Sequence, residues 1–495
     1  MGDKTVFASY PSVVVYDNAD GKKAVQHLLW GDWMKLKDGR SGDYVEVRAR
    51  GVNGWVHKEN IQEERLLEIV FVDIGQGDGC LLVTPDDKHM VIDAGEGDNM
   101  ARFLNWRYGG FDNPWEFECA VISHPDSDHY KGFSNIFDKT NITFKTIYHN
   151  GIMERTGNDR LGPKTTSGIP RFLTDIIQNQ SQLEQFLSKE TNWKRKLYPT
   201  MLKKAIDNGA CTNFKMLCVE DGYMEGYGPD RELTIKVLGP VVKRDRQNKP
   251  QLQWLKSVSK TKNGHSVVLR LQYRDISLML GGDLNIPAEE LLLSYHTGLP
   301  CPAPDHEAHQ VLVEAAREVF QVDIAKSCHH GSSDFSTTFL SALNPIATVI
   351  SSGDNEPHSH PRSDTLGTIG AHSRGVRSLI FSTELARSAS EAIKHPYILR
   401  REFLAIKEDI EALEKQAEDT EKWRKKKEAL DKKYQKMVNG LERSIAVYGA
   451  INVRTDGHKV VIAQKLEKPR SKSKKWDIYR LEAHGTGPLT YQSKH

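Results

Sequence analysis

The stretch Ser123-His124-Pro125-Asp126-Ser127-Asp128-His129 puts two imidazoles and two carboxylates within six residues. It follows the apolar run Ala120-Val121-Ile122, which reads as the end of a buried strand. Like charges crowded on one loop need something to offset them. A pair of divalent metal ions does so, because carboxylate oxygen and imidazole nitrogen are its ligands.

Other parts of the chain must carry this loop. Leu67 to Val83 and His89 to Gly95 read as strand, glycine-rich turn, strand, turn and strand, with Asp73, Asp78 and Asp93 where strands stop. Those three acids read as turn formers or supports for ligands rather than as ligands. Later come Gly281-Gly282-Asp283, then His329-His330-Gly331-Ser332, then His360-Pro361.

Taken together and in this order, V-D-x-G-Q-G-D, I-D-A-G, S-H-P-D-S-D-H, G-G-D, H-H-G-S and H-P resemble the metallo-β-lactamase fold. Within it they are similar to the ComEC-like branch, typified by the soluble domain of a DNA-uptake protein. The likeness spans about residues 67 to 383 and resumes near 446. It implies an αββα sandwich of class α/β.

The same resemblance implies that His124 and Asp126 face one metal, that Asp128 and His129 face the second, and that Asp283 bridges them. One of His329 and His330 adds a ligand; the sequence leaves open which. Where the commoner pattern H-x-H-x-D-H has its second histidine, this chain has Asp126. The extra oxygen donor favours Mn²⁺ or Mg²⁺ relative to Zn²⁺, which stays possible. Two such ions activate water against a phosphodiester. Asp128 orients the water, and His360, His265 or the non-ligating member of the His329-His330 pair holds the phosphate or protonates the leaving oxygen. Asn263, Ser266 and Ser332 are candidate phosphate hydrogen-bonders. Each peripheral residue has a plainer reading as a loop pin.

Four segments are expected. Residues 1–64 carry short β-like runs divided by turn formers, a barrel of five or six strands whose end, Gly51 to Lys58, resembles a bacterial SH3-like domain. Residues 65–396 form the catalytic domain, interrupted at about 151–230 by a helical cap, with helices expected at 170–177 and 180–187. Residues 397–443 are rich in Ala, Glu, Lys, Leu and Arg. Their apolar spacing slips between Ala417 and Trp423, and Asp419-Thr420 is a candidate cap for a second helix, so an antiparallel helical hairpin is expected. Residues 444–495 supply closing strands and a basic loop, Lys465 to Lys475. Asn263 to Leu271 and Ser277 to Asp283 read as a hairpin.

Basic residues gather at Lys194-Arg195-Lys196, Lys203-Lys204, Lys243 to Arg246 and Lys256 to Lys262, a funnel for a phosphate-rich substrate or merely solvated faces. The net charge of +2 over 495 residues, with 27% charged and 38% hydrophobic, excludes a general polyanion binder and fits a globular protein of more than one core. Six scattered cysteines fit reduced thiols and make no zinc knuckle. No apolar run reaches about 18 residues and no signal-peptide core follows Met1, so a cytoplasmic protein without membrane contact is expected, not a DNA-translocating channel.

The leading expectation is a dinuclear-metal nuclease acting on DNA. The alternatives are a small-molecule phosphodiesterase or other hydrolase, and a scaffold in which the SH3-like barrel and the hairpin bind a protein partner or a second copy.

Overall fold

The computed structural model describes residues 4–303, 306–353, 359–375, 377–383, 396–415, 420–442, 449–466, 469–483, 485 and 487–492. In the N-terminal part, alternation places Val13 and Val15 inside and their neighbours outward along the strand Ser12–Tyr16. Seven antiparallel strands form there, rather than five or six, because Thr5–Ala8 and Ile61–Gln62 also pair with each other. Val6, Leu28, Met34, Val47 and Val56 fill its core. Each such side chain stabilises the fold by about 1.5–3 kcal/mol.

Two larger sheets pack face to face. In the ten-stranded sheet the order is Phe214–Met216, Ile142–His149, Trp115–Val121, His89–Ala94, Gly79–Val83, Leu67–Phe71, Ile451–Thr455, Val460–Lys465, Trp476–Ala483 and Leu489–Gln492. Leu67–Phe71 runs antiparallel to Ile451–Thr455, so the C-terminal segment is built into the ten-stranded sheet. The six-stranded sheet runs Leu233–Gly239, Val268–Tyr273, Ile276–Leu280, Ile324–Lys326, Ala347–Ile350 and Leu379–Ser382, its last four strands parallel. Ile69, Phe71, Leu82, Leu269, Leu271 and Val349 lie between the sheets. Helices Asn99–Arg107 and Leu197–Asp207 cover one outer face, and Ile286–Thr297, Ala308–Phe320 and Thr337–Leu343 cover the other, giving four α/β/β/α layers.

The insertion departs from expectation in part. Gln180–Leu187 is a helix, capped by the Asn179 side chain accepting from Gln182 N at 3.1 Å. Residues 170–177 instead contribute the short strand Phe172–Leu173, antiparallel to Pro250–Gln253. Pro170 cannot donate a helical hydrogen bond, and the partner strand arrives from beyond the insertion. The expected hairpin is Val268–Tyr273 with Ile276–Leu280, while Val258–Gly264 ahead of it is a helix capped by Ser257.

The helical hairpin comprises Pro396–Lys415 and Glu421–Glu442. Thr420 Oγ1 accepts from Trp423 N at 3.2 Å and starts the second helix, while Ala417 and Asp419 lie outside the described residues. The indole N–H of Trp423 donates to the Leu413 carbonyl (2.8 Å), and Phe403 meets Tyr434 edge to face at 5.3 Å. The stretches Asp354 to His358 and Ser444 to Tyr448, read as a loop and as part of a closing strand, also fall outside the described residues.

A buried ion network ties the N-terminal sheet to the ten-stranded sheet. Arg454, 1% exposed, donates to Asp32 Oδ1 (2.8 Å), the Trp30 carbonyl (2.5 Å) and Glu68 Oε1 (3.1 Å). Arg50 grips Asp32 through two nitrogens (2.9 and 2.7 Å), and Arg107 pairs with Glu68 at 2.7 Å.

Candidate metal centre

His124 and His129 stand just beyond the strand Trp115–Val121, Asp283 just beyond Ile276–Leu280, and His330 just beyond Ile324–Lys326. These are strand ends of the two facing sheets, where loops can bring polar groups together over a rigid floor. Ligand-type atoms of Asp78, His129, Asp283 and His330, all buried, lie within 4.8 Å of one another.

The two oxygens of Asp283 are each 3.2 Å from a different imidazole, Oδ1 from His129 Nε2 and Oδ2 from His330 Nε2. Asp128 approaches from the side, with Oδ2 3.5 Å from His330 Nε2 and Oδ1 4.0 Å from His129 Nε2. Behind the ring of His129, Nδ1 meets Asp93 Oδ2 at 2.8 Å, and Asp93 also accepts from Ser123 N (2.8 Å) and Ser123 Oγ (2.6 Å). Asp93 therefore orients the His129 ring.

His124 is fully buried, and its Nδ1 is near Ser123 Oγ (3.1 Å) and Ser266 Oγ (3.3 Å). Its Nε2 is buried without a hydrogen-bond partner among the described residues. An imidazole nitrogen left with a bare lone pair in the interior is costly unless something outside the protein takes it up. A divalent ion fits this donor set of buried nitrogen and carboxylate oxygen.

The carboxylates and imidazoles of the cluster offset one another's charge. Burial by itself would discharge these groups, yet Asp283 and Asp93 hold His129 well above its ordinary value, and Asp283 and Asp78 do the same for His330. In return His330 and His129 hold Asp283 well below the usual carboxylate range. For His124, burial and then the neighbouring His129 push the ring well below the ordinary imidazole value, so this ring is neutral.

Asp78, read as a support for ligands, stands 3.2 Å from His330 Nδ1 and 3.9 Å from His129 Nδ1, behind rings whose Nε2 atoms face Asp283. One member of the centre was missed by sequence reading. Lys326, 3% exposed, pairs with Asp78, donates to the Gly282 carbonyl (3.0 Å) and lies 3.9 Å from Asp283 Oδ1. The signal for Lys326 was a charge ending the otherwise apolar Asp323-Ile324-Ala325 run beside His329-His330.

Gly77 shows how the turn reaches the centre. Its φ is +103°, and a Cβ there would fall 1.7 Å from the Asp128 carbonyl oxygen. Asp78 N donates to that same oxygen at 3.2 Å. His329 and His330 also have positive φ, 48° and 53°, a strained backbone for non-glycine residues of the kind found at functional sites.

Not every expected residue joins the cluster. Asp126 caps the short helix Ser127–Tyr130 and pairs with Lys262 at 3.0 Å, at the rim. The His329 side chain is 25% exposed, with Nε2 3.9 Å from Asp283 Oδ2 and 3.5 Å from Asn263 Nδ2. His360 is half-buried at the mouth, its ring 5.8 Å from that of His329 and 6.3 Å from that of His330. Ser266 is occupied positioning the centre, donating to the Asn263 carbonyl (2.7 Å) and accepting from Asp283 N (3.0 Å). Ser332, part-exposed, accepts from Asp334 N at 3.3 Å. His265 corrects the expectation of a catalytic role. Its ring is buried, Nε2 meets the Gln253 carbonyl at 2.7 Å, and burial holds it down at about 4, so it fastens the 250–253 strand instead.

A family model described as the metallo-beta-lactamase superfamily matches residues 79–331, half of the chain, and the chain belongs to that superfamily. Members of that superfamily are metal-dependent hydrolases. No curated protein matches the sequence. Among solved structures, a metallo-beta-lactamase from Staphylococcus aureus subsp. aureus COL is 13% identical, with TM-score 0.23, over 53% of this chain and 53% of its own. The metallo-beta-lactamase SMB-1 bound to 2-mercaptoethanesulfonate is 14% identical, with TM-score 0.23, over 52% of this chain and 79% of its own. A long form RNase Z from yeast is 9% identical, with TM-score 0.25, over 59% and 38%. The chain thus spans about half the length of the first of these, and at such scores the likenesses say nothing about substrate.

Proposed function

We propose that this hydrolase holds two divalent ions and cleaves the phosphodiester bonds of nucleic acid, DNA foremost. The observation that carries the reading is the straddling carboxylate of Asp283, one oxygen 3.2 Å from His129 and the other 3.2 Å from His330, which suits a bridge between two ions. Bound divalent ions supply an acidified water and neutralise charge building on phosphate.

In this reading His124 and Asp126 hold one ion, and Asp128 and His129 hold the other. His330 rather than His329 is the further ligand, because its Nε2 is buried among the carboxylates, with Asp78 beside it. To hold an ion, Asp126 would have to leave Lys262, whose ammonium, also 3.5 Å from Glu154, would then be free to meet phosphate at the rim. Asn263 and Ser332 are further phosphate contacts. His329 and His360, at the mouth, hold the phosphate or return a proton to the leaving oxygen. Oxygen donors at Asp78, Asp126, Asp128 and Asp283 favour Mn²⁺ or Mg²⁺ over Zn²⁺.

The ComEC-like motif order supports nucleic acid over small esters, as do the lysines of the helix Val258–Gly264 beside the metal loop. We assign the first 64 residues to an SH3-like module and the 397–443 hairpin to docking of a protein partner or a second copy. No helix among the described residues is long and apolar enough to cross a membrane.

The test is incubation of the protein with single- and double-stranded DNA, RNA and a simple aryl phosphodiester, in Mn²⁺, Mg²⁺ or Zn²⁺, beside Asp128→Ala. Cleavage of the polymers with metal, lost in the variant, is expected. Cleavage of the small ester alone would overturn the nuclease reading.

A further inference from the structure

A second polar cavity, of about 470 Å³, opens at the seam between the N-terminal sheet and the ten-stranded sheet. None of its lining residues belongs to the metal centre. The helix Asn99–Arg107 borders it at one end, where Arg107 pairs with Glu68, while at the other end the Asn99 amide donates to the Asp73 carbonyl. Nine helical residues set the two ends about 13 Å apart.

The floor of this cavity carries surplus positive charge. Arg50, Arg65 and Arg107 line it beside two carboxylates, Asp32 and Glu68, and the buried Arg454 pairs with both acids from behind. Lys475, from the basic loop that the metal chemistry does not use, adds to this. Its Nζ meets only the neutral Gln26 Oε1 (2.5 Å) among the described residues. Burial and the nearby cations Lys472 and Arg50 push that ammonium below its ordinary value. A lysine held among cations rather than beside an acid is poised for an anion.

The walls are indoles. Arg50 lies 6.0 Å from the ring centroid of Trp106 and 5.9 Å from that of Trp476, which fixes both rings and orients the guanidinium. Trp33, also on the wall, is 45% exposed and presents a free apolar face. The volume lies within the range of about 300–1,000 Å³ usual for small-ligand sites.

We propose that this cavity binds a free nucleotide, its phosphates on Lys475 and Arg50 and its base against Trp33.

The test is calorimetric titration of the full chain with ADP in excess EDTA, so that no metal mediates binding. Saturable binding is expected, about tenfold weaker in Lys475→Gln and severalfold weaker in Trp33→Ala, each with an unchanged melting temperature. Asp128→Ala is expected to bind as the parent does. Inorganic pyrophosphate is expected to bind about tenfold more weakly than ADP, for want of a stacking ring. The proposal is overturned by no binding, by binding indifferent to both cavity substitutions, by loss in Asp128→Ala, or by pyrophosphate equalling ADP. A single-stranded oligonucleotide displacing ADP at lower concentration would overturn the assignment to a free nucleotide. None of these outcomes depends on whether nucleic acid is the substrate.

Discussion

Nε2 of His129 lies 3.3 Å from Nε2 of His330, although 201 residues separate them in the chain. Asp283 closes the triangle with one oxygen toward each. Nothing local holds two imidazoles so close, and the facing sheets impose it.

Asp283→Asn keeps the shape and removes half of that bridge. It is expected to abolish metal-dependent hydrolysis, while Asp93→Asn, which only loosens the His129 ring, weakens metal binding about 10–100-fold. Metal titration by calorimetry orders the two, and equal losses would contradict the separation between ligand and support.

Asp126→His restores the imidazole of the commoner pattern. A softer nitrogen donor in place of oxygen shifts preference toward Zn²⁺ at the expense of Mn²⁺. Activity ratios across the two metals measure this, and an unchanged ratio would show that Asp126 remains a cap paired with Lys262.

Gly77→Ala puts a methyl into the Asp128 carbonyl at a φ of +103°. Backbone strain alone costs about 1–3 kcal/mol, and relief of the clash drags the metal loop out of place. Lower thermal stability together with weakened metal binding is expected; a parent-like melting curve would refute it.

Arg454→Met strands Asp32 and Glu68 at the seam. Removing one partner from a buried ion network typically costs about 3–5 kcal/mol. Denaturant unfolding measures the loss, and Arg454→Lys is expected to recover only part of it, lacking the fork that reaches both acids.

The same seam sets an acid limit. Burial would raise the Glu68 carboxyl, but Arg107 and Arg454 hold it down at about 2 against an ordinary 4.5. A depressed carboxylate contributes its stability in full above the ordinary value and loses it as pH falls toward the folded value. About 3 kcal/mol is therefore expected to vanish between pH 4.5 and 2. Melting temperatures across that range check it, and Glu68→Gln is expected to flatten the curve.

What the sequence determined is local. Strand ends bearing acids and histidines, the hairpin at 268–280 and the cap at Thr420 follow from alternation, turn formers and capping chemistry, all read within a few residues. The helix expected at 170–177 failed because its strand partner at 250–253 lies outside any such window. His265 was misjudged for the same reason: a histidine before a strand looks like a site residue until packing aims its ring at the Gln253 carbonyl. Likewise, adjacent His329 and His330 are interchangeable as letters, and only backbone turned to positive φ separates a buried ring among carboxylates from one at the mouth. Lys326 and Arg454 read as ordinary charges in strands. Their meaning comes from burial, since a charge in a low-dielectric interior must find partners, and those partners come from Asp78, Asp32 and Glu68, far away along the chain.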